Sequence, residues 1–248
     1  MSLYAEPRTV FSIDDCHFYH TMDLPGVGTV IGDWDLRTGV DDYLGRLSFA
    51  DTRVLEIGPA SGYLTFEMER RGASVVSIEV PDDPGWDFVS FPSAVLDPVL
   101  PPRREIMRRL KNSYWFAHAA NKSRAKLHYG DAYNLPDAIG EFDIALMANV
   151  LLHCRAPLQI VEQCARRAKT LVIVEMFYPE LEGSSICRLA PSAENKQWDT
   201  WWHFSTDFFR QYLGVLGFLK VETAISAHTH LQTTSYPMFT IIGSREQA

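Results

Sequence analysis

Val54-Leu55-Glu56-Ile57-Gly58-Pro59-Ala60-Ser61-Gly62 is the stretch on which the reading of the fold turns. A short apolar strand, Arg53–Ile57, carries an acid near its end, runs into a loop of small residues and turns into a helix. Ser61 is expected to cap that helix, Leu64 and Met68 share one of its faces, and Gly72 stands where a terminating glycine belongs. Gly58 lets the backbone turn and a ligand approach closely, because a β-carbon there would collide with it. Gly62 permits tight packing at the helix start, where exposed N–H groups favour a carboxylate or phosphate. Ser74–Glu79 reads as the next strand and again ends in an acid. Glu79 at that point can accept hydrogen bonds from both hydroxyls of a ribose.

The same alternation continues along the chain. Residues 125–129 and 142–148 read as strands, Pro157 opens a helix with Leu158, Val161 and Ala165 on one stripe, and 169–176 is a mostly apolar strand. Ser205 caps a helix carrying Phe209, Leu213 and Leu216, which Gly217 ends; 218–225 and 237–244 are two final strands. Strands alternating with helices predict a mostly parallel sheet with helices on both faces. The last two strands have no helical pattern between them and are expected to pair antiparallel. Residues 1–248 read as one domain with no internal repeat. Residues 1–50 form an N-terminal extension, with a short helix over 40–47.

Two stretches, 80–124 and 177–204, exceed ordinary connections and are read as lid insertions. They hold five of the six tryptophans: Trp86, Trp115, Trp198, Trp201 and Trp202. The expectation is an aromatic roof over the strand ends, where open parallel sheets bind ligands. Between Arg103 and Lys126 eight basic residues face one acid, Glu105, in a chain of net charge −8. That overall charge argues against a nucleic-acid footprint over the whole surface, while the local run fits an anionic ligand. Arg104, Arg108 and Lys111 share a helical face, and Arg104, Arg108, Trp115, Trp201 and Trp202 are the candidate acceptor-binding residues.

Composition narrows the class further. Apolar residues make up 46% and charged residues 22%, a globular balance. No apolar run reaches the roughly 18 residues of a membrane span, and no charged-then-apolar stretch of a secretory signal opens the chain. The four cysteines form no Cys-x-x-Cys pair, so a reducing cytoplasm is the expected setting. Cys16-His17-x-x-His20 and His228-x-His230 have tolerable ligand chemistry but make no recognised metal site.

Glu56, Gly58, Gly62 and Glu79 together resemble the S-adenosylmethionine site of class I methyltransferases. Gly130-Asp131-Ala132 falls where that family sets an acid against the adenine amino group, 142–145 resembles its fourth strand, and Gly217-Phe218 its closing turn. The resemblance implies a Rossmann-like seven-stranded sheet with an antiparallel C-terminal strand. It also implies S-adenosyl-L-methionine as cofactor, held by Glu56, Gly58, Pro59, Ala60, Gly62, Glu79, Asp131, Ala132 and Asn149. Ala60 stands where the family most often has glycine. Position 60 also breaks the Gly-x-Gly-x-x-Gly fingerprint, which disfavours a nicotinamide oxidoreductase.

Asn149-Val150-Leu151-Leu152-His153-Cys154-Arg155-Ala156-Pro157-Leu158 is similar to a segment of the tRNA wobble-uridine carboxymethyltransferase family. That family's cofactor-gripping tyrosine falls on Leu152, which cannot hydrogen-bond a carboxylate, so ordinary methyl transfer is the expectation.

His153, following the fourth strand of the motif, is the candidate base for removing a proton from the acceptor, and His203 in Trp201-Trp202-His203-Phe204 is a second candidate. The leading expectation is O-methylation of a sugar or related small, anionic metabolite. A tRNA-modifying enzyme and a non-catalytic cofactor-binding protein are the alternatives.

Overall fold

A computed structural model describes residues 2–81 and 87–245; Trp86 lies outside them. In chain order, an N-terminal hairpin of β1 (Met22–Leu24) and β2 (Gly28–Val30) leads to β3 (Trp34–Asp35) and the single-turn α1 (Val40–Tyr43). The central units follow: β4 (Arg53–Ile57), α2 (Tyr63–Arg70), β5 (Ser74–Glu79), α3 (Ser93–Leu96), α4 (Leu100–Ala120), β6 (Lys126–Tyr129), β7 (Phe142–Ala148), α5 (Pro157–Ala165) and β8 (Ala168–Met176). A hairpin of β9 (Cys187–Leu189) and β10 (Trp202–Phe204) precedes α6 (Thr206–Val215), β11 (Lys220–His230) and β12 (Thr234–Ser244).

Among the described residues the main sheet has the order β3-β11-β12-β8-β7-β4-β5-β6. Its β6-β5-β4-β7-β8 portion is parallel, and β12 runs antiparallel to both neighbours. The expected mostly parallel sheet is therefore present, with eight strands instead of seven. The eighth is the two-residue β3, which borrows its pairing from Thr229 and His230 and has no alternating pattern of its own to announce it. The final hairpin pairs antiparallel, as expected, and extends over eleven residues in each strand.

Burial explains the layering. Val54, Leu55, Glu56 and Ile57 are all buried, as both faces of a central parallel strand must be. Val54 and Val75 pack with Leu64, Met68, Tyr114 and Trp115 from α2 and α4 on one face. Leu55 and Ile57 pack with Ile160, Val161, Phe209 and Leu213 from α5 and α6 on the other. At β4 the chain order splits, to β5 on one side and β7 on the other. That arrangement opens a crevice at the strand ends.

Three local expectations are corrected. The 80–124 stretch is not a lid throughout: it contains the 21-residue α4, whose second half, from Leu110 to His118, is largely buried core. Residues 1–50 are not a plain extension, since β3 joins the sheet. Ser61 does not cap α2. Gly62, at φ +88°, is the N-cap, and the Ser61 hydroxyl instead accepts from the His20 backbone N–H at 3.1 Å. Ser205 does cap its helix, accepting from Phe208 N–H at 3.1 Å. Among the described residues no helix is long and apolar enough to cross a membrane.

Candidate active site

Two adjoining cavities, of about 520 and about 300 Å³, open at the carboxyl ends of β4, β5 and β7. Gly58, Glu79, Arg103, Met107, Val150 and His153 line both. The larger runs over Ile78, Gly130, Asp131, Ala132 and Tyr133; the smaller runs over Pro59, Ala60, Asn149, Tyr19, His20 and Met238. Pro59, Ala60, Asn149, Gly58, Glu79, Asp131 and Ala132, seven of the expected cofactor residues, thus come together along one continuous crevice.

The glycine loop is shaped by backbone constraints. Gly58 has φ +72°, and a β-carbon there would stand 3.1 Å from Val150 Cγ2. At Gly62 a β-carbon would meet Phe66 Cε2 at 2.5 Å, which is the tight packing expected of it. Ala60 also lies in the left-handed region, at φ +51°. The Glu79 carboxylate accepts from Val80 N–H at 2.8 Å and from the Ala60 backbone N–H, so the acid and the loop hold each other in place. Burial raises its pKa, opposed by those N–H groups and by Lys111 and Arg103.

Glu56 lies behind this loop and lines neither cavity. Its carboxylate accepts from Thr65 Oγ1 at 2.5 Å and Ser77 Oγ at 2.6 Å, and burial lifts its pKa to about 7. It ties β4 to α2 and β5. Gly62 likewise acts through packing. Asp131 is exposed and accepts from Tyr133 N–H at 2.9 Å.

His153 sits where the two cavities meet, at the end of a 3₁₀ turn, Leu151–His153. Its Nδ1 lies 2.5 Å from the backbone oxygen of Asp199. A carbonyl can only accept, so Nδ1 carries the proton and Nε2 keeps a lone pair. Burial pushes the imidazole pKa below its ordinary value, opposed by the Asp199 carbonyl and carboxylate. The turn itself is held by Glu175, whose Oε1 accepts from Leu151 and Leu152 N–H at 3.0 and 3.3 Å. The second histidine candidate is elsewhere. His203 stacks on Tyr178 at 4.2 Å, hydrogen-bonds Arg188 at 3.0 Å and lines neither cavity.

The expected acceptor residues are also displaced from the crevice. Arg104 and Arg108 are exposed, and Arg108 pairs with Glu105 at 2.7 Å. Trp115 is buried, with its indole N–H donated to Tyr129 Oη at 3.0 Å. Trp201 donates to the Asp87 carbonyl at 2.5 Å and Trp202 to the Arg155 carbonyl at 3.2 Å. Trp201 joins the two insertions to each other, Trp115 and Trp202 fasten theirs to the rest of the domain, and none of the three lines the cavities. Arg103 does line both, and among the described residues no carboxylate pairs with it. Its place follows from helical phase: Arg103, Met107 and Leu110 share the inward face of α4, about 100° away from the face of Arg104 and Arg108.

The metal-like clusters are occupied with packing. His17 pairs with Asp33 at 3.1 Å, and His228 accepts or donates at Ser226 Oγ, 2.7 Å away, against the Tyr43 ring. Leu152 packs into the core beside α5 and α6 and lines neither cavity, so the carboxylate-gripping position of the tRNA segment has no counterpart there.

Comparison with known proteins places this geometry. A family model described as a methyltransferase domain matches residues 35–217. No curated protein sequence matches the chain significantly. Among solved structures, the N-terminal domain of EvdMO1, crystallised with SAH and D-fucose, is 18% identical, with 92% of this chain and 91% of that one covered at a TM-score of 0.58. A SAM-dependent methyltransferase from Methanosarcina mazei is 17% identical over 83% and 96% of the two chains, at 0.53. The magnesium protoporphyrin IX methyltransferase ChlM of Synechocystis, with bound SAM, is 13% identical over 84% and 78%, at 0.50. With the family model covering most of its length, the chain belongs to the methyltransferase domain family.

Proposed function

We propose that this methyltransferase transfers the methyl group of S-adenosylmethionine to a hydroxyl of a small, anionic acceptor, a sugar or related metabolite. The observation that carries the reading is His153, a neutral imidazole with a fixed tautomer at the junction of two cavities.

The larger cavity fits an adenosine. Glu79 would accept from the ribose hydroxyls, Asp131 and Ala132 would border the adenine, and Gly58 keeps the loop free of a β-carbon that would stand against Val150. When bound, the cofactor supplies an electrophilic sulfonium methyl. His153 Nε2 would accept the proton of the acceptor hydroxyl as its oxygen takes the methyl and the sulfonium S–CH3 bond breaks to leave S-adenosylhomocysteine, so no free alkoxide forms. Arg103 binds the anionic group of the acceptor and aligns it, which turns an encounter into an in-line displacement. Support for a sugar comes from the neighbour crystallised with D-fucose, although that likeness is one of fold.

The test is release of S-adenosylhomocysteine with a panel of sugar phosphates and uronic acids. His153→Ala is expected to lower the rate by about 10²–10⁴ and to leave affinity for S-adenosylhomocysteine within twofold of wild type. An unchanged rate removes His153 as base. Transfer to tRNA with none to the small acids replaces the acceptor class.

A further inference from the structure

Four polar side chains with no part in the transfer step line one side of the smaller cavity: His17, Tyr19, His20 and Asp33. All four precede residue 35, where the family match begins. Backbone contacts hold them in place. Asp33 N–H donates to the Phe18 carbonyl at 3.3 Å and Trp34 N–H to the Tyr19 carbonyl at 2.9 Å, so the two segments run side by side. Gly32 allows that approach, since a β-carbon there would stand 2.3 Å from the His20 carbonyl carbon. His17 N–H donates to Ser113 Oγ of α4 at 2.8 Å, and His20 N–H to Ser61 Oγ of the glycine loop at 3.1 Å. This side of the cavity still has hydrogen bonds to give. His20 Nδ1 is buried with no partner among the described residues, an unmet group that calls for an explanation. Asp33 holds His17 Nε2 through Oδ2 at 3.1 Å, and among the described residues nothing hydrogen-bonds its Oδ1. Burial raises the Tyr19 pKa to about 12, with Trp34 and Arg103 opposing and Asp33 and Asp199 adding to it, so the phenol keeps a proton to donate.

The chemistry of these groups selects hydroxyls. Burial holds the His20 pKa down at about 3, so its ring is neutral. A hydroxyl both donates and accepts, and so satisfies the Asp33 carboxylate, the Tyr19 phenol and either tautomer of His20. A carboxylate or phosphate would be repelled by Asp33 and is favoured at Arg103 instead. Elsewhere the lining is apolar, at Leu64, Met107, Leu110 and Met238. At about 300 Å³ the cavity is at the small end of ligand pockets, with room for one ring. A pyranose combines these properties, a rim of hydroxyls around C–H faces. Resting on the acceptor reading above, we propose that Tyr19, His20 and Asp33 form the specificity subsite that takes the hydroxyl rim of a single sugar ring. His153 lines the same cavity, which puts the base in the space the ring occupies. Acceptor choice then lies in the N-terminal segment, outside the part of the chain that the methyltransferase model matches.

The experiment titrates D-glucuronate, D-galacturonate and D-glucose 6-phosphate into the S-adenosylhomocysteine complex, followed by NMR, for wild type, Tyr19→Phe and Asp33→Ala. Wild type is expected to bind at least one of the three. Each variant is expected to lose about tenfold in affinity for it while binding S-adenosylhomocysteine within twofold of wild type. Damage to the fold would weaken both ligands, and Tyr19→Phe removes one oxygen while leaving the ring in place. No sugar bound by wild type, equal losses for sugar and S-adenosylhomocysteine, or undiminished sugar affinity in both variants overturns the subsite. Methyl transfer to the hydroxyl of 3-hydroxybenzoate by a wild type that binds no sugar would overturn the subsite and leave the O-methylation reading standing. A wild type that binds no sugar and methylates none of the four acids overturns both.

Discussion

The imidazole of His153 is oriented by the backbone carbonyl of Asp199, 2.5 Å from Nδ1, and so by a residue of the second insertion. The sheet delivers the histidine to the crevice, but the insertion decides which nitrogen faces it. Trp201 continues the same connection, since its backbone N–H donates to the Leu152 carbonyl at 2.8 Å. His153 and the second insertion are therefore one hydrogen-bonded unit.

The proposed base role of His153 predicts the acid side of the pH profile. In that role the active form is the neutral ring, and burial lowers its pKa below the ordinary 6.5. As pH falls, methyl transfer is expected to hold through 6.5 and to decline only below it. In His153→Ala the residual rate should lose that acid limb. The kcat/KM profile of the two proteins between pH 5 and 8 is the measurement.

Gly58→Val is expected to abolish measurable binding of S-adenosylhomocysteine. A β-branched side chain at φ +72° costs about 1–3 kcal/mol in strain, and its β-carbon meets Val150 Cγ2 at 3.1 Å. Glu79→Ala should weaken binding by about tenfold through loss of the ribose acceptor. Calorimetry on both variants, with thermal melting to show that they fold, checks this; undiminished affinity in both dissolves the site as drawn.

Arg103→Gln should raise the KM of an anionic acceptor by at least about tenfold and leave affinity for S-adenosylhomocysteine unchanged. Arg104→Gln and Arg108→Gln, on the solvent face of α4, should change neither. If all three variants behave alike, the anion is read by the field of the whole basic run.

Glu175 gives a stability prediction. It is buried, and burial lifts its pKa to about 8, against an ordinary 4.5. Between those values the folded state binds more protons than the unfolded one, so the contribution of this group falls as pH rises through the window. Glu175→Gln keeps an oxygen for Leu151 and Leu152 N–H and has no charge to desolvate. Relative to wild type, it should therefore gain stability from pH 5 to pH 8 in urea unfolding. A gap that is flat or narrows with pH contradicts the assignment.

The sheet was legible because its core strands are short apolar runs bounded by glycine loops and capped helices, and the strand ends carry Glu79 and Asn149 where a crevice needs them. The N-terminal share of the site was not. Tyr19 and His20 reach the smaller cavity from irregular backbone, where periodicity carries no information, and they are fixed by a distant contact, His20 N–H to Ser61 Oγ.

On α4 the signal was present but misassigned in phase. Lys111, Asn112, Ser113 and His118 are buried there, so the helix lacks the clean apolar stripe that marks a core element. Arg104 and Arg108 face solvent, while Arg103, beside them in sequence, faces in. The tryptophans misled for a different reason: a large ring beside a site serves as well to join two loops as to touch a ligand, and only the indole N–H partners tell these apart.

The smaller cavity is bounded by Tyr19 and His20 at one side and by Met238 of β12 at another. Strand β12 follows the other named strands in the chain and pairs antiparallel with β8 on one side and β11 on the other. During synthesis the glycine loop, His153 and all the helices named above are joined to the chain before that strand is. The larger cavity is lined by no residue beyond Asp199, so an interruption ahead of β12 would keep every residue that lines it and remove the Met238 wall of the smaller one.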